Sequence, residues 1–246
     1  MRDAAERRLA VGFFDGVHLG HQAIVGRADA VLTFANHPLS VLSPEKAPPC
    51  IMTLEERVAA IGKPVTVLTF TRELAAMSRE EFAARYLAGN CIICGENWRF
   101  GRDGAGDADW LRAQGFAVEV VPYAVYEGEP ISSTRIRSCL ERGELTAANA
   151  MLGRSFSLCG VISRGKGEGA KIGYPTVNLR RGVYEVSVNG ERAIANYGVA
   201  PTFGERAWAT PTLEVHFLRF IRPERKFSST EELKSQIAAD CEEVMK

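Results

Sequence analysis

The sequence has no excess of charge of one sign and no long apolar segment. Its 246 residues include 30 basic and 30 acidic ones, so no global field favours nucleic acid or a strongly charged partner. No stretch approaches the roughly 20 consecutive apolar residues of a membrane span. Residues 1–8 are charged and lack the apolar core that a secretory signal requires. These absences predict a cytoplasmic protein that binds neither nucleic acid nor a membrane.

The six cysteines do not have the spacing that favours a metal or redox site. Among six cysteines, only Cys91 and Cys94 have the CxxC spacing, and a second such pair for zinc is missing. The pair lies in an apolar run typical of a buried strand, on which residues i and i+3 face opposite sides. A redox pair would need a helix N-terminus to lower the pKa of one thiol. We therefore expect six reduced and mostly buried thiols.

The first part of the chain alternates apolar runs with helical patterns, which predicts a parallel α/β sheet with helices on both faces. Thr53 with Glu56 and Ser78 with Glu81 form capping-box patterns that start two of the helices. The predicted strands occupy residues 9–14, 31–34, 64–70, 91–95 and 117–121. Predicted helices occupy residues 18–28, 107–114, 132–142 and 145–152, and the helix that Ser78 starts is predicted to run to about Leu87.

The pattern changes after Gly153, where short strand-like runs are separated by glycine, proline and asparagine. Asn189 and Gly190 form a strong hairpin turn signal between two of these runs. The sequence therefore predicts a Rossmann-like domain at 1–153 and a small antiparallel β-barrel or sandwich at 154–246 that ends in a helix.

Only four histidines occur, and two of them, His18 and His21, follow the first strand directly. Residues three apart share a helix face, and a helix start offers N–H groups and partial positive charge to phosphate. Two incidental polar residues or a zinc-binding pair fit this spacing as well. A second helix start at residues 132–137 carries three hydroxyls and two arginines, which favours phosphate binding, although a plain helix cap would look similar.

The run FDGVHLGH within residues 12–21 resembles the HxGH motif of the nucleotidyltransferase superfamily. More narrowly, it is similar to the amino-terminal module of prokaryotic bifunctional riboflavin kinase/FAD synthetases. Supporting segments in the family's order lie at residues 32–38, 70–74, 95–101 and 131–134. The resemblance implies that AMP is transferred from ATP to FMN, which gives FAD and pyrophosphate, with Mg²⁺ present.

The resemblance also implies roles for individual residues. His18 and His21 would be catalytic, binding the ATP phosphates and stabilising the transition state. Flavin contacts would come from Asn97, Phe34 and Pro38. Further contacts to ATP would come from Gly12, Phe13, Asp15, Gly16, Ser133, Thr134 and Arg137.

A second group of polar residues lies in the glycine-rich segment at residues 160–178. Gly167, Gly169 and Lys171 could wrap phosphates, although a plain surface loop fits equally well. Thr176 and Asn178, two apart on an extended segment, face the same way and carry hard oxygen ligands that suit Mg²⁺.

This segment resembles the riboflavin kinase module, whose PTxN motif holds Mg-ATP. By that resemblance, Glu214 is the general base on the riboflavin hydroxyl; without it, Glu214 would be a solvent-facing strand residue. The chain departs from the family pattern because residues 213–217 and 218–227 are fused where the family has an extra hairpin. An alternative alignment would place Glu214 in the later strand.

Four hypotheses follow. The first is a bifunctional enzyme of FAD biosynthesis that acts on riboflavin, FMN and ATP. The second is a monofunctional FMN adenylyltransferase with an inactive kinase-like barrel. The third is a non-catalytic regulator that binds flavin or nucleotide, and the fourth is an adenylyltransferase for another substrate, which the second domain disfavours. The partners expected are small molecules, and a homo-oligomer is compatible with the sequence.

Overall fold

A computed structural model describes residues 7–163, 169–171, 177–188, 190–198, 202–203 and 212–245. The chain divides into two compact units, Met1–Ser133 and Thr134–Lys246. Among the described residues, no helix combines the length and the apolar character needed to cross a bilayer.

The first unit is built on a five-stranded parallel sheet. Its strands are β1 (Arg7–Val11), β2 (Ala30–Phe34), β3 (Val65–Leu68), β4 (Asn90–Gly95) and β5 (Val118–Val121). The order β3-β2-β1-β4-β5 places β1 in the centre. Strands β2 and β3 are added on one side of β1, and β4 and β5 are added on the other, so the strand order reverses between β1 and β4. In open α/β sheets, ligands bind at the carboxyl ends of the strands beside such a reversal.

Both faces of this sheet are buried, as the predicted helices on both sides require. Leu9 and Ile92 pack into one apolar cluster, whereas the neighbouring Ala10 and Ile93 pack into another. The helices are α1 (Leu19–Val25), α2 (Leu39–Leu42), α3 (Leu54–Ile61), α4 (Arg72–Ala76), α5 (Arg79–Phe82) and α6 (Ala108–Ala113). Short 3₁₀ turns lie at Pro44–Lys46 and Arg102–Gly104, and a π-helical turn spans Ala83–Leu87. A small hairpin pairs β6 (Val125–Tyr126) with β7 (Glu129–Pro130).

The second unit contains helices α7 (Ser133–Arg142), which begins at the last residue of the first unit, and α8 (Leu145–Leu152). Its strands are β8 (Phe156–Ser163), β9 (Gly169–Lys171), β10 (Gly182–Val188), β11 (Glu191–Tyr197), β12 (Thr202–Phe203) and β13 (Thr212–Pro223), followed by α9 (Thr230–Met245). They form one antiparallel sheet in the order β12-β11-β10-β13-β8-β9. Cα atoms of the edge strands β9 and β12 come within 8 Å of each other, which curls the sheet into the predicted barrel.

Aromatic rings fill this barrel. The ring of Phe217 packs edge-on against Tyr184 at 5.3 Å between centroids, and Phe156 lies 6.0 Å from it. The predicted hairpin is confirmed, because Val188 pairs with Glu191 across the turn. The sequence after Gly153 therefore forms the antiparallel fold that its pattern predicts.

The first compact unit ends at Ser133, earlier in the chain than the predicted domain boundary near Gly153. Helix α8 is bonded to the barrel, because the Asn149 amide donates to the Phe217 carbonyl at 3.0 Å and accepts from the Phe156 N–H at 2.8 Å. Packing thus assigns α7 and α8 to the second unit, except for Ser133. The boundary near Gly153 stays a prediction, since packing does not test independent folding.

Candidate functional site

The connection from β1 to α1 has an unusual backbone. Phe14, Gly16 and Val17 all have positive φ, at 56°, 80° and 40°. This region is rare for residues other than glycine, and for a β-branched residue such as Val17 it is a true outlier. Strained backbone of this kind clusters at functional sites and persists only where surrounding contacts hold it.

Buried polar contacts hold this loop. The Asp15 side chain is only 2% exposed, and both carboxylate oxygens accept from the Ile51 N–H, at 3.0 and 3.1 Å. The Ser133 hydroxyl donates to the Asp15 carbonyl at 2.9 Å. Asp15 and Ser133, both predicted to contact ATP, therefore have structural partners, and the Asp15 carboxylate is turned toward the protein.

His18 and His21 lie together at the start of α1. His18 caps the helix, and its Nδ1 accepts from the His21 N–H at 3.3 Å. The two imidazole rings are stacked, with centroids 3.6 Å apart. Because Nδ1 of His18 is an acceptor, the neutral ring carries its proton on Nε2.

The environment of His21 favours its neutral form. Burial first, and then repulsion from a protonated His18 and from the Arg57 cation, hold the pKa of His21 well below its ordinary value. Its Nδ1 is buried and has no hydrogen-bond partner among the described residues. A buried ring nitrogen without a partner is costly, and a hydrogen bond between this ring and a bound ligand would relieve that cost.

Arg57, on α3, is a member of this site that the sequence did not reveal. Its guanidinium is buried, donates to the Phe13 carbonyl at 2.7 Å and to the Phe34 carbonyl at 2.6 Å. It also lies 4.1 Å above the Phe13 ring, whose edge meets His37 at 4.9 Å. Because 44 residues separate Arg57 from Phe13, no local pattern could have shown this contact.

The predicted flavin residues lie at the carboxyl ends of neighbouring strands. Phe34, half-buried at the end of β2, packs edge-on against Phe70 at 5.5 Å, and Pro38 directly precedes α2. Asn97 is exposed in the loop after β4. Since β2 and β4 flank β1, these residues and the strained loop belong to one edge of the sheet. Gly12 begins that loop, where a side chain would meet the Phe14 ring at 2.9 Å.

The remaining residues predicted to bind ATP in this part lie on α7. Thr134 is exposed, whereas Arg137 is buried at 8% exposure. Both belong to the second compact unit. Their predicted contact with the ATP phosphates stays a prediction.

Part of the predicted kinase site can be located on the barrel. Asn178 is exposed just before β10, and Gly169 and Lys171 are the first and last residues of β9. Gly167 and Thr176 lie outside the described residues. The described part of the chain contains no group of three or more His, Cys, Asp or Glu side chains that could hold a metal ion. Mg²⁺ keeps several waters and is held largely by substrate phosphates in such sites, so the metal role of Thr176 and Asn178 stays a prediction.

Glu214 lies on the outward face of β13. It is exposed and alternates with the buried Val215 and Phe217, and its Oε1 lies 3.5 Å from Nε2 of His216. Strand β13 runs unbroken from Thr212 to Pro223, and the expected fusion of two family segments here stays a prediction. The exposed carboxylate is accessible to a substrate, and its catalytic role stays a prediction.

Comparisons with known proteins also divide the chain into two parts. A family model described as FAD synthetase matches residues 1–135, and one described as riboflavin kinase matches residues 152–246. A bifunctional riboflavin kinase/FMN adenylyltransferase from Bacillus subtilis is 31% identical, over 99% of this chain and 93% of the relative. The chain belongs to the bifunctional riboflavin kinase/FAD synthetase family.

Other members of this family are comparably similar. The Listeria monocytogenes enzyme is 33% identical over 94% of this chain and 89% of its own length. The Escherichia coli K12 enzyme is 32% identical, over 94% and 90%. A solved structure described as a macrolide-efflux protein from Streptococcus pneumoniae superposes with a TM-score of 0.86 at 26% identity, over 98% of this chain and 94% of that one. This solved structure therefore has the same fold as the chain.

Proposed function

We propose that this protein makes FAD in two ATP-dependent reactions. Riboflavin is phosphorylated to FMN at the barrel, and AMP is then transferred from ATP to FMN at the carboxyl edge of the parallel sheet. The observation that carries the second reaction is the stacked pair His18 and His21 at the topological reversal beside β1. Both family models and the bifunctional relatives support the two activities.

In adenylyl transfer, a phosphate oxygen of FMN forms a bond to the α-phosphorus of ATP, and pyrophosphate leaves with the bonding electrons. No covalent enzyme intermediate is needed, so positioning and charge stabilisation carry the rate. His18 donates from Nε2 and His21 acts as a neutral hydrogen-bonding group on the phosphate oxygens. Asn97 contacts the flavin nucleotide from the neighbouring loop.

In riboflavin phosphorylation, a ribityl hydroxyl attacks the γ-phosphorus of Mg-ATP and ADP leaves. Glu214 accepts the hydroxyl proton, for which its exposed carboxylate is suited. Thr176 and Asn178 supply oxygens toward Mg²⁺. The monofunctional alternative draws on the resemblance, by which the family's extra hairpin is expected to be missing where β13 runs unbroken.

The protein's partners are small molecules, namely ATP, riboflavin and FMN. We expect no nucleic-acid partner, which the equal numbers of basic and acidic residues support. A cytoplasmic location and a homo-oligomer are further expectations. Light scattering on the purified protein tests the second of these.

The deciding experiment incubates the purified protein with Mg-ATP and either riboflavin or FMN, and separates the flavins by chromatography. FMN and FAD from riboflavin, and FAD from FMN, are expected. FAD from FMN without any product from riboflavin would establish the monofunctional alternative. No product from either substrate would overturn both enzymatic proposals in favour of a binding protein.

A further inference from the structure

We infer that Arg57 is a positioning residue that fixes the distance between the ATP side and the flavin side of the adenylyltransferase site. This inference rests on the proposed function, because it assigns the loop after β1 to ATP and the segment after β2 to FMN. Neither the family models nor the relatives' names assign a role to Arg57.

The geometry of the guanidinium carries the inference. One nitrogen, Nη1, donates to the Phe13 carbonyl at 2.7 Å, and the other, Nη2, donates to the Phe34 carbonyl at 2.6 Å and faces the Ala35 carbonyl at 3.4 Å. A single rigid, planar group therefore joins the ends of two parallel strands. We call this pair of hydrogen bonds from Nη1 and Nη2 the Arg57 fork. Lysine cannot reproduce the fork, because its ammonium is a point donor on a flexible stem.

Further contacts keep the fork in one orientation. The Phe13 ring lies against the guanidinium at 4.1 Å, and the Thr33 hydroxyl donates to the same Phe13 carbonyl at 3.1 Å. Arg57 itself is 2% exposed. The Phe13 carbonyl thus has two donors from different elements, which fixes the loop that leads to His18 and His21.

The electrostatics argue against a purely structural role. Burial lowers the pKa of Arg57, while the negative charge of Asp15 raises it, and Nε is buried without an acceptor among the described residues. Well-packed apolar residues often stabilise a protein as much as a buried charge does, or more. A buried cation with an unused donor is therefore a costly way to pack a helix against a sheet. Setting the spacing of two substrate loops, by contrast, requires the two donors of a guanidinium.

The consequence for catalysis is a selective loss of rate. A displacement of about 1 Å between reacting groups can cost about 100-fold in rate. Removing the fork lets the two loops move relative to each other while each keeps its own substrate contacts. We therefore expect Arg57→Met to lower kcat for FAD formation by about 10- to 100-fold, with changes of less than about threefold in KM for ATP and for FMN.

The test compares Arg57→Met, Arg57→Lys and Arg57→Ala with wild-type protein and with Arg85→Met, which removes an exposed arginine of the same unit. Initial rates of FAD formation from FMN and of FMN formation from riboflavin are measured on the full chain. We expect kcat for FAD formation to be highest in wild type, lower in Arg57→Lys and lowest in Arg57→Met. The control Arg85→Met should have the same kcat as wild type. FMN formation is unchanged in every variant.

Chemical rescue separates positioning from a loss of folding. Millimolar guanidinium should raise the rate of FAD formation by Arg57→Ala several-fold, and methylammonium should not, whereas a protein that is merely unstable would lose activity in guanidinium. The inference is overturned by wild-type kcat in Arg57→Met, by a change confined to one KM, or by the absence of guanidinium rescue. If wild-type protein itself makes no FAD, the proposed function fails instead.

Discussion

At the scale of single residues, His18 and His21 use their ring nitrogens differently. The Nδ1 atom of His18 accepts a backbone N–H, which orients its Nε2 away from the helix end. The Nδ1 atom of His21 is buried without a partner, and its pKa is low because of burial. A pair of stacked neutral rings can lie 3.6 Å apart, whereas two cations at that distance would repel each other.

The low pKa of His21 has a measurable effect on stability. Below about pH 6.5 the unfolded chain takes up a proton that folded His21 does not. The free energy of unfolding therefore falls as pH decreases from about 6.5 toward the folded pKa, by up to about 1.4 kcal/mol per pH unit. In His21→Gln the unfolding free energy should not show this decrease. Urea unfolding of both proteins at pH 7.5 and at pH 5.5 measures the difference. An equal pH dependence in both proteins would contradict a depressed pKa.

At the scale of elements, the sequence patterns that involve residues close in the chain predicted helix starts correctly, but they did not predict every helix end or hairpin. Both capping boxes, at Thr53 and Ser78, are present, because a cap involves residues only three apart. The helix predicted to continue to about Leu87 ends instead in a π-helical turn. The β6–β7 hairpin was missed, although Glu127 and Gly128 form its turn at positive φ.

The buried members of the candidate site were the hardest to predict. The motif around His18 and His21 showed the site, since its residues are contiguous. The buried contacts of Arg57 and of the Asp15 carboxylate depend on partners 44 and 36 residues away. A charged residue in an amphipathic helix pattern is usually solvated, so nothing in the sequence distinguished Arg57.

Helix α9 buries both an apolar residue, Val244 at 4% exposure, and a charged one. Asp240 is 3% exposed, whereas Leu233 and Ile237 are 38% and 47% exposed. The Arg222 guanidinium donates to both Asp240 oxygens, with Nη2 at 2.7 Å, and the Gln236 amide donates to Oδ1 at 2.7 Å.

Asp240→Asn should therefore weaken the attachment of α9. It removes the charge from a buried, charge-assisted network, which should cost roughly 1–3 kcal/mol of unfolding free energy. Glu242→Gln, an exposed change on the same helix, is the matched control and should cost nothing measurable. Hydrogen exchange of α9 amides reports the difference, and equal protection in the two variants would contradict this assignment.

At the scale of the whole molecule, the two sets of predicted site residues, apart from Arg137, lie in parts of the chain that match different family models. His21→Ala should lower FAD formation from FMN by at least about 100-fold and leave riboflavin phosphorylation unchanged. Asn178→Ala and Glu214→Gln should do the reverse. Product analysis with each flavin measures both rates in one preparation, so each reaction controls for the folding of the other variant. An equal loss of both activities in any variant would contradict separate sites.

The central position of β1 has a consequence for how the protein is made. On the ribosome β1 is the first strand of the sheet to emerge, yet one of its two neighbours is β4, at Asn90–Gly95. The Asp15 carbonyl receives its hydroxyl donor only when Ser133 has been synthesised. More than half of the 246-residue chain must therefore be translated before the loop of His18 and His21 acquires all these supports. The candidate adenylyltransferase site thus begins to form early in synthesis and is completed late.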